Sequence, residues 1–411
     1  MNLSCATTSN EIELLIPKKE FENTISRPLV SIVIPALNEC ITIAEFIDWC
    51  WIGLSKVDII GEIIIVDSSD DGTADIALTK GARVLKTPKK GLGQAYLDAI
   101  PYIRGEFIIM GDCDLTYDFR DINLFINSFN IGNEFVMGSR FSGSIENGSM
   151  PLLHRYFGTP LTTWILNKIY SSSFTDIHCG MRGITKDALI KIDITSKGWE
   201  YASEMVLKAK RLGLKIDEVP VKFYKDRDGR LSHHKRSGFW SPWHAGWINL
   251  KVMLVYSPES FLIKPGIFSF VLGLLVFCIS LGGKFSIGHI GFNKHMMLFG
   301  LTAIVLGYSL FHIGIIARIN HGLRTGIESY LIKHLTYDAG MSIVASTGFL
   351  GLCLVIYFIY NFVINKFVLT DFSNFAVCGI LLFLLSVQTF SFVLNLELIR
   401  RLQGRKNEYY K

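Results

Sequence analysis

Four uncharged runs, roughly Pro265–Leu281, Met296–Ala317, Met341–Ile364 and Phe375–Leu396, dominate the C-terminal part of this 411-residue sequence. A helix needs about 20 apolar residues to cross a hydrocarbon core. Because lipid offers no partner for backbone N–H and C=O groups, only helices and closed barrels can cross it. Four such runs in succession exclude a wholly water-soluble chain. They predict an all-α membrane domain of four helices over 263–400, with a short tail over 401–411.

Loop charge predicts the orientation of these spans. Arg318, Arg324 and Lys333 lie between the second and third runs, and Arg400, Arg401, Arg405, Lys406 and Lys411 follow the fourth. The loop between the third and fourth holds only Lys366 and Asp371, whereas Lys284 and Lys294 make the first loop less decisive. The balance places the N-terminal part and the C-terminus in the cytoplasm, as a multi-pass protein of the cytoplasmic (inner) membrane. Ahead of the first run, Trp240, Trp243, Trp247, Leu250 and Leu254 recur at three- and four-residue spacing. That pattern predicts an interfacial amphipathic helix within 237–262, since Trp favours the headgroup zone. The net charge of +5 is modest, and its basic residues gather near the membrane segments. It points to a membrane surface, and not to nucleic acid. Eight cysteines without a CxxC pair read as reduced thiols, and residues 1–27 as a loose N-terminal tail.

The part before the membrane reads as α/β. Leu29–Pro35, Glu62–Asp67, Phe107–Asp112 and Phe135–Ser139 are apolar, β-branched runs of the kind that form buried parallel strands. Helical stretches near Ile41–Trp51, Thr73–Lys80 and Gly91–Ile100 alternate with them, which implies a mostly parallel, Rossmann-like sheet with helices on both faces over 28–236. Ligands bind such sheets beyond the carboxyl ends of the strands. Those ends carry Asn38 and Glu39, then Asp67 and Asp70, then Asp112 and Asp114. A dinucleotide fold would need GxGxxG after the first strand, where Pro-Ala-Leu-Asn-Glu stands instead. Gly91-Leu92-Gly93 alone reads as a helix start. Asp112 and Asp114, as alternate residues at a strand end, can aim two carboxylates at one Mg²⁺ or Mn²⁺.

SIVIPALNE, IIIVDSSDDGT, KGLGQAY, GDCDLT and VMGSRF occur in this order. Together they resemble the inverting GT-A glycosyltransferases of family two, and most closely the dolichol- or polyprenyl-phosphate mannose and glucose synthases. The resemblance covers about Leu29–Leu231, and the C-terminal spans fit its multi-pass versions. It implies a hexosyltransferase taking a nucleotide sugar of the UDP-glucose or GDP-mannose type to a polyprenyl or dolichyl phosphate. It implies donor contacts at Pro35, Asn38, Glu39, Asp67, Asp70, Lys90, Gly91 and Asp112, and metal ligation by Asp112 and Asp114. Where the family often has Leu-Gln after this pair, Leu115-Thr116 stands, leaving Thr116 as the third ligand. Arg140, Arg182, Glu204 and Arg227 join Asp112 and Asp114 as catalytic positions by the same resemblance, and Arg155 falls where the family tends to have a further arginine. Arg227 has one residue before its Gly where the family has two.

A lipid phosphate is already anionic, so attack by it needs positioning and charge neutralisation more than a base. The cluster Lys222, Lys225, Arg227, Arg230, Lys235 and Arg236 precedes the Trp-rich segment, where such a headgroup would arrive. A processive polysaccharide synthase shares these donor motifs but needs Gln-x-x-Arg-Trp, which is absent between Phe223 and Pro265. A lipid-carrier flippase with a degenerate regulatory domain is the alternative from another class; the intact acidic motifs and spans expected to lack buried charged pairs argue against it, leaving a dual role and a homo-oligomer as alternatives.

Overall fold

The computed structural model describes residues 12–17, 27–170, 172–227, 247, 251, 254–282, 285–287, 290–320, 326–366 and 374–409. The chain divides into two compact units, Met1–Tyr256 and Ser257–Lys411.

The first unit is built on an eight-stranded sheet of order β1-β4-β3-β2-β5-β7-β6-β8. Its strands are β1 Glu13–Leu15, β2 Val30–Ala36, β3 Gly61–Asp67, β4 Arg83–Lys86, β5 Phe107–Met110, β6 Phe135–Ile145, β7 Arg182–Thr185 and β8 Ile216–Phe223. The centre, β4-β3-β2-β5, is parallel as expected. The sheet is mixed overall, because β7 inserts antiparallel to both β5 and β6. β1 pairs antiparallel with β4, matching Leu14 to Leu85. Within the expected loose tail, therefore, Glu13–Leu15 is instead an edge strand.

Two-residue periodicity sends alternate side chains to opposite faces. Ile32, Ile34, Ile63 and Ile65 meet Phe46 and Ile47 of α1 (Ile43–Lys56), together with Phe119 and Phe125. Val33, Ile64, Val66 and Met110 meet Tyr96 of α3 (Leu92–Ala99) and Met205 and Val206 of α7 (Tyr201–Arg211). Between them, α2 (Thr73–Thr79) follows β3, so β2, β3, β4 and β5 all end on one edge. Further along, α4 (Asn123–Asn130), α5 (Thr159–Tyr170) and α6 (Lys186–Ile192) complete the layers.

Four helices of the second unit are long and apolar enough to cross a membrane: Glu259–Leu281, Lys294–Asn320, Tyr337–Ile364 and Asn374–Leu402. They match the four runs read from the sequence and extend each by a few residues. Glycines set the approach of the first two helices: a Cβ at Gly307 would lie 2.4 Å from the Phe270 nitrogen, and one at Gly300 2.8 Å from that of Phe277. The second and fourth helices meet through polar groups. Gln388 donates to Ser309 Oγ at 2.8 Å, and the Tyr308 and Thr389 hydroxyls lie 2.8 Å apart. The spans were expected to lack buried charged pairs. Just past the expected second span, half-buried Arg318 meets buried Glu328 of the short helix Ile327–His334 at 2.9 Å.

Most of the expected interfacial helix, including Trp240 and Trp243, lies outside the described residues. Trp247 is helical and exposed. Arg230, Lys235 and Arg236 also lie outside the described residues.

Candidate active site

The carboxyl edge of the central strands is knitted by hydrogen bonds between successive turns. After β2, Asn38 adopts a positive φ of 58°, and its N–H donates to Ser69 Oγ at 2.7 Å. Next, the Glu39 N–H donates to Thr73 Oγ1 at 3.1 Å and that of Cys40 to Asp71 Oδ2 at 3.2 Å. Asp71 also accepts from the Thr73 N–H and hydroxyl. The turns after β2 and β3 are thus tied together. Burial opposes ionisation of Asp71, but these bonds hold its carboxyl below the usual range.

Of the expected donor contacts, Pro35 lies within β2, and Glu39 is buried, accepting from Thr42 Oγ1 at 3.1 Å. Asp67, at the end of β3, is fully buried. Its Oδ1 accepts from the Ser69 N–H at 3.3 Å, whereas Oδ2 lies 2.9 Å from Lys86 Nζ without hydrogen-bond alignment. A buried carboxylate oxygen with spare acceptor capacity, at the edge where ligands bind, suits a nucleobase or ribose donor. Asp70 and Lys90 are exposed on the same edge.

Asp112 and Asp114 stand in the turn after β5, which ends at Met110, two residues short of the expected strand end. Tyr96 OH donates to the Gly111 carbonyl at 3.1 Å, bracing that turn from α3. Leu115 holds a φ of 63° while buried, a left-handed conformation that costs a branched residue about 1–3 kcal/mol. The strain brings Thr116 back onto Asp114, whose Oδ1 accepts from its N–H at 3.0 Å and its hydroxyl at 2.5 Å. Thr116 therefore spends its one hydroxyl proton orienting Asp114. Beside them, a Cβ at Gly180 would lie 2.6 Å from Asp112 Oδ2, so only glycine leaves room for that carboxylate. Two oxygen-donor residues fit a hard divalent cation that completes its shell with water and phosphate oxygens, the habit of Mg²⁺. Among the described residues no group of three His, Cys, Asp or Glu side chains stands ready to hold a metal.

Of the basic and acidic positions expected to act in catalysis, Arg140, Arg182 and Glu204 are buried and Arg227 is exposed. Arg140 is buried in a two-pronged pair with Asp176, Nε to Oδ2 at 2.6 Å and Nη2 to Oδ1 at 2.9 Å. Arg182 is fully buried and spends its guanidinium on the carbonyls of Cys179 (2.8 Å), Ile177 (3.0 Å) and Ala202. It ties β7 to α7 from within the fold.

Glu204 is also fully buried. Oε1 accepts from the Thr195 N–H (2.9 Å), Thr195 Oγ1 (2.8 Å) and Tyr256 OH (2.9 Å), and Oε2 from the Ser196 N–H (2.8 Å). Lys208 Nζ adds an ion pair at 2.6 Å. Burial alone would raise its pKa, but bonds from Lys208, Ser196 and Thr195 outweigh it and hold the group down to about 2. A saturated carboxylate of such low basicity makes a poor proton acceptor.

Arg227 makes a half-exposed pair with Glu45 at 2.5 Å, a contact worth about 0–1 kcal/mol and easily opened. Gly91 and Gly93 are packing glycines. A Cβ at either would lie 2.3 Å from the Lys197 carbonyl or 2.2 Å from that of Ser196, respectively. His178, beside Asp176, donates or accepts at Thr162 Oγ1 at 2.9 Å, and burial pulls its pKa down to about 4.

One feature went unread in the sequence. Leu152, Leu153, Tyr156, Phe157, Leu161 and Trp164, leading into and along α5, are all exposed. Their three- and four-residue spacing was visible in the sequence, and together they form an apolar helix face next to half-buried Arg155.

The sequence profile of glycosyl transferase family 2 matches residues 31–193. A low-salt glycan biosynthesis hexosyltransferase of Haloferax volcanii is 34% identical over 321 residues, spanning 77% of this chain and 76% of that protein. A dolichyl-phosphate hexose transferase of the same organism is 30% identical over 168 residues, 41% of this chain and 72% of that protein. Among solved structures, glucosyl-3-phosphoglycerate synthase from Mycobacterium tuberculosis is 20% identical with a TM-score of 0.44, over 56% of this chain and 80% of that one. On the profile and the long first match, this chain is a glycosyltransferase of family 2 joined to four membrane-length helices.

Proposed function

We propose that the enzyme transfers a hexose, with inversion, from a nucleotide sugar to a polyprenyl or dolichyl phosphate at the cytoplasmic membrane face. The observation that carries the acceptor assignment is the exposed apolar face from Leu152 to Trp164. A catalytic unit with a water-soluble acceptor has no use for such a face, whereas one working at a lipid surface does. The dolichyl-phosphate name of one relative supports the same reading.

In this reading Asp67 and the turn around Asn38 and Glu39 take the nucleoside. Asp112 and Asp114 would hold Mg²⁺ or Mn²⁺, which would neutralise charge developing on the leaving diphosphate. Thr116 and the strained Leu115 keep Asp114 aimed. With an acceptor that is already an anion, no side chain has to remove a proton from it, consistent with the saturated state of Glu204. Arg227, released from Glu45, is the group within this chain's described residues that we assign to the acceptor phosphate, where a planar fork binds two oxygens.

The test is to incubate membranes holding the enzyme with labelled UDP-glucose or GDP-mannose and polyprenyl phosphate. Label should enter the organic phase and be released by mild acid. Excess chelator should abolish transfer, and Mg²⁺ or Mn²⁺ should restore it. A water-soluble polymer as the sole labelled product would overturn the acceptor, and full activity in chelator would overturn the metal role.

A further inference from the structure

Tyr256 is the last residue of the catalytic unit, and it is gripped at both ends. Its carbonyl accepts from Tyr170 OH at 2.9 Å and from Arg211 Nη1 at 3.5 Å. Its hydroxyl donates to Glu204 Oε1 at 2.9 Å and lies 3.1 Å from Thr195 Oγ1. Glu204 in turn holds the N–H groups of Thr195 and Ser196.

The loop so held is the bed of α3. Lys197 O accepts from the Gln94 N–H at 3.0 Å, and Gly91 and Gly93 press against the Lys197 and Ser196 carbonyls with no room for a Cβ. α3 starts beyond β4 on the carboxyl edge, behind Lys89 and Lys90, and carries the Tyr96 that braces Gly111 next to Asp112. A connected path of hydrogen bonds and short backbone steps therefore runs from the end of the catalytic unit to the turn bearing the Asp112–Asp114 pair.

We propose that Glu204 and Tyr256 are positioning residues for the nucleotide sugar, tying the exit of the chain from the catalytic unit to the start of α3. This rests on the donor-site assignment above. A carboxylate here does what glutamine cannot: both oxygens accept from backbone N–H groups at once, and an amide would turn an NH₂ toward one of them. The tie makes donor affinity depend on how the chain is held at Tyr256, one residue before Ser257 and the membrane unit.

The experiment uses the full chain in lipid nanodiscs, comparing wild type with Tyr256→Phe and Glu204→Gln. Amide hydrogen exchange at Thr195, Ser196 and Gln94 should quicken by about tenfold in Glu204→Gln, equivalent to about 1.4 kcal/mol, and by less in Tyr256→Phe. KM for UDP-glucose or GDP-mannose should rise severalfold in both, with kcat, the KM for polyprenyl phosphate and the pH profile nearly unmoved. Unchanged exchange at those three amides overturns the tie. A donor KM that stays put while exchange quickens overturns the positioning role. A fall in kcat of about 10²-fold or more in Glu204→Gln, with loss of the acid limb of the pH profile, would make Glu204 a base after all. If Glu204→Gln does not fold, the ring-preserving Tyr256→Phe carries the test alone. Failure of wild type to use any nucleotide sugar would sink the donor assignment, while the exchange data would still decide the tie.

Discussion

Replacing Asp176 with alanine strands Arg140. The two residues are 0% and 9% exposed, and Asp176 accepts from Arg140 Nε (2.6 Å), Arg140 Nη2 (2.9 Å), the Arg140 N–H (3.2 Å) and the His178 N–H (3.2 Å). Removing one partner of such a pair leaves a buried charge uncompensated, at a cost of about 3–5 kcal/mol. At roughly 2–4 °C per kcal/mol for a unit of this size, the catalytic unit should melt about 6–20 °C lower. The assay is near-ultraviolet circular dichroism of the full chain in detergent, with hydrogen exchange across β6 and β7 to assign the loss to this unit. A second arm replaces both partners, Arg140→Met with Asp176→Leu. Apolar groups of similar volume often recover the stability of a buried pair, so most of the lost melting temperature should return. A loss under about 1 kcal/mol in Asp176→Ala, or a double variant as unstable as the single one, would refute the reasoning. The double variant also isolates chemistry: inactivity with a restored fold would assign Arg140 a ligand contact in addition to its structural one.

Gly93→Ala places a Cβ 2.2 Å from the Ser196 carbonyl, where backbone must shift. We expect about 1–3 kcal/mol of destabilisation and a weaker donor KM, and wild-type melting would contradict it. The pH dependence of stability carries the signature of Glu204. Its folded pKa of about 2 lies below the unfolded value of about 4.3, so the stabilisation is full above pH 4.3 and is lost as pH falls toward 2. The melting difference between wild type and Glu204→Gln should therefore shrink across that window, and a constant difference would count against the ionised assignment. For topology, a reporter after Lys411 should be cytoplasmic and one near Asp371 should face outward, and labelling of both from one side would refute the orientation.

The membrane half was legible because lipid imposes a one-dimensional rule: about 20 apolar residues make a span wherever they occur. The central strands were legible for a related reason. Strands buried on both faces read as continuous apolar runs, and β2, β3 and β5 did. The antiparallel insertion of β7 was not, since Arg182-Gly-Ile-Thr185 pairs with residues 45 or more positions away in the chain and carries no local mark of direction. Nor was Glu13–Leu15, three residues whose only reason to be a strand is the free edge of β4.

The ionisable residues divide along the same line. The position of Asp112 and Asp114 just beyond an apolar strand was legible because it is a local property. What an arginine or glutamate does depends instead on which partners the fold brings to it. Asp176 is 36 residues from Arg140, and Tyr256 is 52 from Glu204. Sequence alone determined that this chain joins a family 2 domain to four membrane-length helices. Tertiary structure decided that Arg182 and Glu204 are buried among fixed partners, because burial of a charge is permitted only where distant carbonyls, amides or counter-charges converge on it.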